Sequence, residues 1–559
     1  MRRTPGGAAH RARSRPEARS RPGSAIAVAG LILTASLLGG EAVLFTWSRW
    51  SGLDQSLWKD ETFSVLTFIR GGPDVILWGD YTINNHMLFN LLAWLNYRLF
   101  DGAETSLRFW SVLPATLAAV LLVAWVARRF GSVSAIVGGA LITFSPLHTQ
   151  LVRQARGYGL AYLAMTGVVI SAIRVVESAD DPRVGDDGLR RQRRWLVAFG
   201  ASGLLGVLTF PFFALPFVLS ATALAAVAPL RRTIGFIVAA VGAAGVVVYA
   251  DALGQITRST DDFRHHRNIG PLPWTTIITW PRDMFGATAA HAGRYTPLDG
   301  SDIRGVVWGL VVAPLLVLGA ASLARHDRVI AAVLVFPIVG TIGLIVVARL
   351  ALAERYWSYL IVPAIVLLLE GGRAAGKRMP RVTAWPRALA GLAGIAVGVA
   401  IATGWTNYAE RLVELPREDF RGVGEIVEKL ERKRGPIELL IASADTYGLE
   451  YYYRRPNYEI VDPSAVSGDE PSRFDDPTSP PALTYREVVD LACTTPKSLI
   501  VVLHDADRLG LDLSCIRSRG GGSTTLRQLE RGERVTVWSL RRDRAPAPPD
   551  GEDQEDQTA

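Results

Sequence analysis

Trp58-Lys59-Asp60-Glu61 sets two carboxylates side by side just after a long apolar run. A carboxylate held near a reacting hydroxyl can serve as a general base, and a neighbouring acid can orient it or touch the acceptor. Two acids in a loop are ordinarily solvated surface. Their context gives this pair more weight, because the same loop continues through Asn84-Asn85-His86 into a short apolar stretch. Such a stretch can lie in a membrane interface and hold a lipid headgroup beside the carboxylates.

Cationic and phenolic side chains recur at the ends of other apolar runs. His148 precedes Leu151-Val152-Arg153-Gln154-Ala155-Arg156-Gly157-Tyr158, and Glu354-Arg355-Tyr356 precedes a later run. Arginine at a membrane edge can snorkel and pair with headgroups. It is also the side chain whose planar fork binds phosphate through two parallel hydrogen bonds, and the residues alone leave both readings open. The stretch 251–302 adds Arg258, Arg264, His265, His266 and Arg267. Adjacent histidines do not share a helix face, and no spaced acidic partners accompany them, so neither a metal nor another cofactor is indicated. A mobile basic lid over an anionic substrate is the expectation there. The membrane region contains no Walker A loop, dinucleotide fingerprint, G-x-S-x-G elbow or H-E-x-x-H, which removes most support for ATP-driven transport and zinc proteolysis.

The elements that must position these groups are membrane spans. Of the 559 residues 49% are hydrophobic, and they fall in blocks long enough to cross a bilayer core of roughly 30 Å rather than at the periodicity of a soluble core. Spans are expected at 25–46, 107–126, 133–148, 158–174, 195–210, 212–229, 233–250, 303–324, 329–348, 356–371 and 388–405. Residues 86–100 are too short to cross and carry Asn90 and Asn96, so they are expected as an interfacial helix. Read that way, 24 Lys and Arg fall on about 72 cytoplasmic residues and 13 on about 130 residues of external loop, in line with the positive-inside bias. If 86–100 crossed, every later basic cluster would lie outside. The formal charge of +8 thus reports orientation and contact with anionic headgroups, and no nucleic-acid partner is expected.

This topology divides the chain into a basic, disordered cytoplasmic N-terminus (1–23), a transmembrane domain (24–405) with external loops at 48–106 and 251–302, an extracytoplasmic domain (406–543) and a disordered tail (544–559). The first apolar run extends to about Trp47, past a signal-peptide core, and lacks an A-x-A site, so an uncleaved span is expected despite Glu41 within it. After Trp405, an amphipathic stretch 418–433, a helical stretch 446–453 and strand-like stretches 437–441, 498–503 and 535–540 read as a small α/β domain. Cys493 and Cys515 are the only cysteines. They exclude a cysteine metal cluster, and in an oxidising compartment they are expected to pair.

In order along the chain, these motifs resemble the GT-C glycosyltransferases, in particular the RgtA/B/C/D-like and protein-mannosyltransferase-like (family 39) branch. Asp60-Glu61 resembles the family's Asp-Glu in the first external loop. Asn85-His86-Met87-Leu88 is similar to its His-Pro-Pro-Leu or Lys-Pro-Pro-Leu motif, here without the prolines. Ser106-Leu107-Arg108-Phe109 resembles the arginine that opens the next span, Gln154-Ala155-Arg156-Gly157-Tyr158 the Ala-Arg-x-Tyr, and Glu354-Arg355-Tyr356 the Arg-Tyr before a late span. Arg417-Glu418-Asp419-Phe420-Arg421-Gly422 resembles the start of the external domain. Phe63 stands where relatives with an aminoarabinose donor have Arg.

The resemblance implies a polytopic α-helical membrane protein of GT-C type, with about eleven transmembrane helices, interfacial helices and the small external α/β domain, sited in the plasma membrane. It implies inverting transfer of a sugar from a polyprenyl-phosphate donor to a hydroxyl of a glycan, lipid or protein acceptor. Asp60 is then the base and Glu61 its orienter or an acceptor contact. His86, Arg156 and Arg355, with Arg153, Tyr158 and Tyr356, form the phosphate side, and Arg264, His265, His266 and Arg267 are lid contacts. A lipid or polysaccharide transporter and a receptor with an external binding domain are the competing classes. In a transporter the charges would line a path across the membrane, whereas here they gather at one interface.

Overall fold

The computed structural model describes residues 23–79, 81–82, 84–179, 186–250, 252, 301–347, 354–378, 402–403, 405–414, 419–434, 438–441 and 451–452, with the strands 499–504, 523–527 and 534–539. The expected lid residues Arg264 to Arg267, both cysteines, the N-terminal 22 residues and the tail 544–559 lie outside them.

Long apolar runs become helices because in lipid each backbone N–H and C=O must be satisfied within its own segment. They are α1 (Gly23–Trp50), α5 (Glu104–Phe130), α6 (Ser132–Thr143), α7 (Pro146–Val152), α8 (Tyr158–Ala179), α9 (Asp186–Thr209), α10 (Ala214–Leu224), α11 (Arg231–Tyr249), α12 (Ser301–His326), α13 (Arg328–Val347) and α14 (Ile361–Arg378). Between α1 and α5 lie three shorter helices, α2 (Lys59–Ser64), α3 (Pro73–Trp78) and α4 (Met87–Phe100). Large apolar side chains such as Leu31, Val43, Val120, Phe236 and Val247 point outward, as a lipid-solvated bundle permits. Ten of the eleven expected spans coincide with helices, and 388–405 falls almost wholly outside the described residues.

Among the described residues six helices are long and apolar enough to cross a membrane, or seven if α6 and α7 count as one bent span. The expected spans 195–210, 212–229 and 303–324 fall on α9, α10 and α12. Of these, α10 has only 11 residues and α9 carries arginines through its first half.

The span expected over 133–148 is broken in two, with α6 and α7 meeting at 61°. Pro146 cannot donate to the Ile142 carbonyl one turn back. The buried Arg49 guanidinium substitutes for it, donating to Ile142 O at 2.9 Å and Thr143 O at 3.0 Å. Ser145 caps α7 by accepting the His148 N–H. Arg49→Ala is expected to cost about 1–3 kcal/mol, because Thr143 O loses its donor and Ile142 O keeps only backbone N–H groups such as that of Ser145 at 3.3 Å. Thermal unfolding in detergent reads this as a lowered Tm.

Helix α8 is the centre of the bundle, buried along most of its length against α5 and α9. Gly159 lets it approach α5: a Cβ there would stand 1.7 Å from the Ser111 carbonyl oxygen. This close approach fixes the start of α8, and therefore Arg156 and Tyr158, against the neighbouring elements.

Helix α4 is 14 residues long, about 21 Å at 1.5 Å per residue, and so matches the short interfacial element expected from the sequence. Exposed Leu95, Leu99 and Phe100 line one side, and buried Phe89, Asn90 and Ala93 line the other. After the bundle come a helix over 405–414, α15 (Phe420–Arg434) and the strands β1 (Glu438–Ile441), β2 (Leu499–His504), β3 (Ser523–Arg527) and β4 (Arg534–Ser539). They form one sheet in the order β1-β2-β4-β3, with β1 and β2 parallel and the other pairs antiparallel. Three strands and α15 fall where the sequence pattern put them, whereas β3 is an additional strand.

Candidate active site

Asp60 and Glu61 occupy the first turn of α2. Trp58 is the extended N-cap, and Glu61, three residues on, reaches back to accept the Trp58 N–H at 3.0 Å. A π-helical turn, Val65–Ile69, continues α2 and closes through the Arg70 N–H to Val65 O at 2.8 Å. Adjacent positions on a helix face different ways, so the two carboxylates part company.

Glu61 turns into protein. Its Oε1 accepts Arg108 Nε at 3.0 Å and the Ala155 N–H, and its Oε2 accepts an Arg108 terminal nitrogen at 2.8 Å. Arg108 spends its remaining donors on the carbonyls of Leu53, Gln55 and Ser56. Glu61 is only 1% exposed, and its two oxygens accept from four donors within the protein. It clamps the loop that carries Asp60.

Asp60 faces the other cluster. Its Oδ2 accepts from Arg156 at 2.9 Å and Arg355 at 3.1 Å. Arg156 also donates to Asn84 Oδ1, and the Arg355 guanidinium lies 5.2 Å over the Tyr356 ring. His86, the residue before α4, accepts the Gly157 N–H on Nδ1 at 3.2 Å and packs edge-on against Tyr158 and Phe210. With Nδ1 an acceptor, the proton of the neutral ring belongs on Nε2. His86 Nε2, the Tyr158 hydroxyl and the Nε atoms of Arg156 and Arg355 are buried and have no hydrogen-bond partner. Such groups are rare in folded proteins and costly. Here they belong to the two arginines that hold Asp60 and to the Tyr158 and His86 rings packed beside Arg156, and three of the four are certain N–H or O–H donors.

Among the described residues, Asp60 with Arg156 and Arg355 carries one net positive charge, since His86 is neutral. Burial, then the charges of Arg156 and Arg355, hold its imidazole well below the usual histidine range. The unfolded chain protonates this histidine below about pH 6.5 while the folded chain does not. Stability is therefore expected to fall as pH drops below that value, by up to about 1.4 kcal/mol per pH unit for this one group. Unfolding temperatures between pH 7 and 5 should decline more gently in His86→Gln than in the native chain, and equal slopes would refute the assignment.

The other expected site residues are placed differently. Arg153 is buried and donates to the carbonyls of Ser48, Ser51, Gly52 and Leu412, holding the end of α1 to the helix over 405–414. His148 lies 3.3 Å from Arg49 at the α6–α7 break. Among the described residues no group of three or more His, Cys, Asp or Glu could hold a metal ion. The sequence reading gave no role to Arg49 or Asn84 and none to Arg108 beyond its motif. A charge within an apolar helix was their only signal for the two arginines. A groove of about 460 Å³ along α11, lined by Arg232, Thr233, Phe236, Ile237 and Ala240, shares no residue with the Asp60 cluster.

No family model matches the chain, and no curated protein matches it in sequence. In three dimensions it is similar to ArnT from Cupriavidus metallidurans in the apo state, with a TM-score of 0.51 at 15% identity over 92% of this chain and 98% of that one. The same ArnT bound to undecaprenyl phosphate gives 0.48 at 15% identity over the same shares. The oligosaccharyltransferase AglB from Archaeoglobus fulgidus, in complex with an inhibitory peptide and a dolichol-phosphate, gives 0.47 at 11% identity over 93% of this chain and 75% of that one. At these identities the likeness speaks to architecture. The chain is a polytopic α-helical membrane protein with the GT-C fold.

Proposed function

We propose that the chain is an inverting glycosyltransferase of the plasma membrane that moves a sugar from a polyprenyl-phosphate donor to an acceptor hydroxyl on the extracytoplasmic face. The observation that carries this reading is one carboxylate, Asp60, gripped by two arginines, of which Arg156 lies over the Tyr158 ring and Tyr158 packs against His86, with His86 Nε2, the Tyr158 hydroxyl and both arginine Nε atoms buried and unpartnered. A sugar joined through phosphate to a polyprenol is a phosphodiester with a single negative charge, which matches the surplus positive charge of this cluster. The GT-C fold is consistent with the same reading.

In this mechanism Asp60 takes the proton of the acceptor hydroxyl as its oxygen attacks the sugar C1 from the face opposite the phosphate, and the configuration inverts. The C1–O bond to phosphate breaks, and the carrier leaves with its second negative charge held by Arg156, Arg355, His86 Nε2–H and Tyr158. The arginines that hold Asp60 are also those that meet the phosphate. An incoming donor therefore competes for them and leaves the Asp60 carboxylate to the acceptor hydroxyl. Glu61 and Arg108 keep the loop in register.

The test is incubation of the purified chain with a panel of polyprenyl-phosphate hexoses and pentoses and candidate glycan, lipid and protein acceptors. Transfer or slow hydrolysis of one donor, abolished in the Asp60 variant, is the expected result. Failure of the chain to bind or consume any member, with Asp60 variants indistinguishable from native, would sink the proposal. His86→Ala and Arg355→Ala are expected to weaken donor binding, because each removes a phosphate contact rather than the base.

A further inference from the structure

Residues far beyond the bundle return to the loop that carries Asp60. The Tyr452 hydroxyl accepts the Leu57 N–H at 2.6 Å and donates to Glu104 Oε1 at 3.1 Å. Leu57 is fully buried and stands three residues before Asp60. Arg421 reaches the same place: its guanidinium pairs with Glu104, donates to Asp54 O at 2.8 Å and lies 5.6 Å over the Tyr452 ring. Its own N–H donates to Ser56 Oγ at 3.2 Å. Asp419 fixes the turn that presents Arg421, accepting the Gly422 N–H at 2.9 Å. Tyr451 donates to Gly102 O at 2.7 Å, just ahead of α5. Gly102 has φ +73°, and a Cβ there would meet Tyr97 and the Tyr451 hydroxyl.

Residues 53–58 have no helix or strand of their own, so side chains from elsewhere must fix them. Arg108 takes the carbonyls of Leu53, Gln55 and Ser56, while Tyr452 and Arg421 take the Leu57 amide, the Asp54 carbonyl and the Ser56 hydroxyl. Helix α2 has six residues, too few to hold itself in place. Its first turn, with Asp60, inherits its position from this loop.

We infer that Tyr452 and Arg421 are positioning residues for Asp60: the segment after the bundle straps the catalytic loop in register, linked through Glu104. This rests on Asp60 being the base. A shift of about 1 Å in a reacting group can cost about 10²-fold in rate, and the strap sets that distance without touching the donor phosphate. Tyr452 keeps its proton in this arrangement, since burial and then the Glu104 charge push its phenol above the ordinary tyrosine range.

The experiment uses the full chain with Tyr452→Phe, which keeps the ring and removes the hydroxyl, and with Arg421→Ala and Arg421→Lys. Three quantities are read: kcat for transfer from the accepted donor, affinity for undecaprenyl phosphate, and hydrogen exchange of amides 53–62. Tyr452→Phe and Arg421→Ala are expected to lower kcat about 10- to 100-fold, leave affinity within about twofold and speed exchange in 53–62. Arg421→Lys, which keeps the charge facing Glu104, should recover part of kcat. If exchange in 53–62 is unchanged, or if it rises while kcat stays within about twofold, the inference is overturned. Should Arg421→Ala fail to fold, Tyr452→Phe decides alone. Asp60→Asn in the same assay separates the two ideas. Undiminished turnover there removes the functional reading, whereas the exchange measurement reports on the strap regardless.

Discussion

Asp60→Asn is expected to cut sugar transfer about 10²- to 10⁴-fold, the usual contribution of a general base, while affinity for the polyprenyl-phosphate donor stays nearly intact. Asn keeps the size of the side chain and one carbonyl oxygen to accept from Arg156 and Arg355, but its amide cannot take a proton. The loss therefore belongs in the chemical step and not in folding, and single-turnover kinetics with donor saturating isolates it. Removal of the negative charge also frees both arginines for phosphate, so donor affinity should hold or rise slightly, the opposite of the weakening expected for His86→Ala. If Asp60→Asn transferred at the native rate while Glu61→Gln abolished transfer in a folded chain, the two carboxylates would exchange roles. If both changes were silent, a transport function would become the better account of this charge cluster.

How much of this was legible follows from which forces are local. The helices were legible because lipid forces every apolar run of sufficient length to satisfy its own backbone, and α4 because 14 residues are too short to span. Pro146 could have signalled the α6–α7 break, which the sequence reading did not draw from it, and the stabilising partner Arg49 stands 93 residues from Ile142, where no pattern within the run could name it. Strand β3 escaped because Ser523-Thr524-Thr525 offers no apolar alternation. Its place is set by pairing with β4. Asp60, Arg156 and Arg355 were each picked out by residue type and position. That both arginines share one oxygen of Asp60, across 96 and 295 residues, is a product of packing α2, α8 and the turn before α14 together.

Arg108→Ala is expected to destabilise the chain by about 3–5 kcal/mol, the range for breaking a buried ion pair from one side. The change does two separate things. It leaves the Glu61 carboxylate, 1% exposed, without the two-pronged partner that neutralises it, and it strips the donor from the carbonyls of Leu53, Gln55 and Ser56. Glu61→Leu alone should also be costly, because it strands the Arg108 charge, exposes no new partner for the Ala155 and Trp58 amides and removes the α2 cap. In many buried pairs, replacing both members with apolar residues restores stability. Here the double variant Arg108→Met with Glu61→Leu should recover the charge part only, since three loop carbonyls and two amides stay unpaired, each about 1–3 kcal/mol if buried. Reversible unfolding in detergent, compared across the two single variants and the double one, measures this directly. A double variant as stable as the native chain would mean the pair merely neutralises itself, and an Arg108→Ala variant within about 1 kcal/mol of native would mean the loop holding Asp60 is fixed by something other than this clamp.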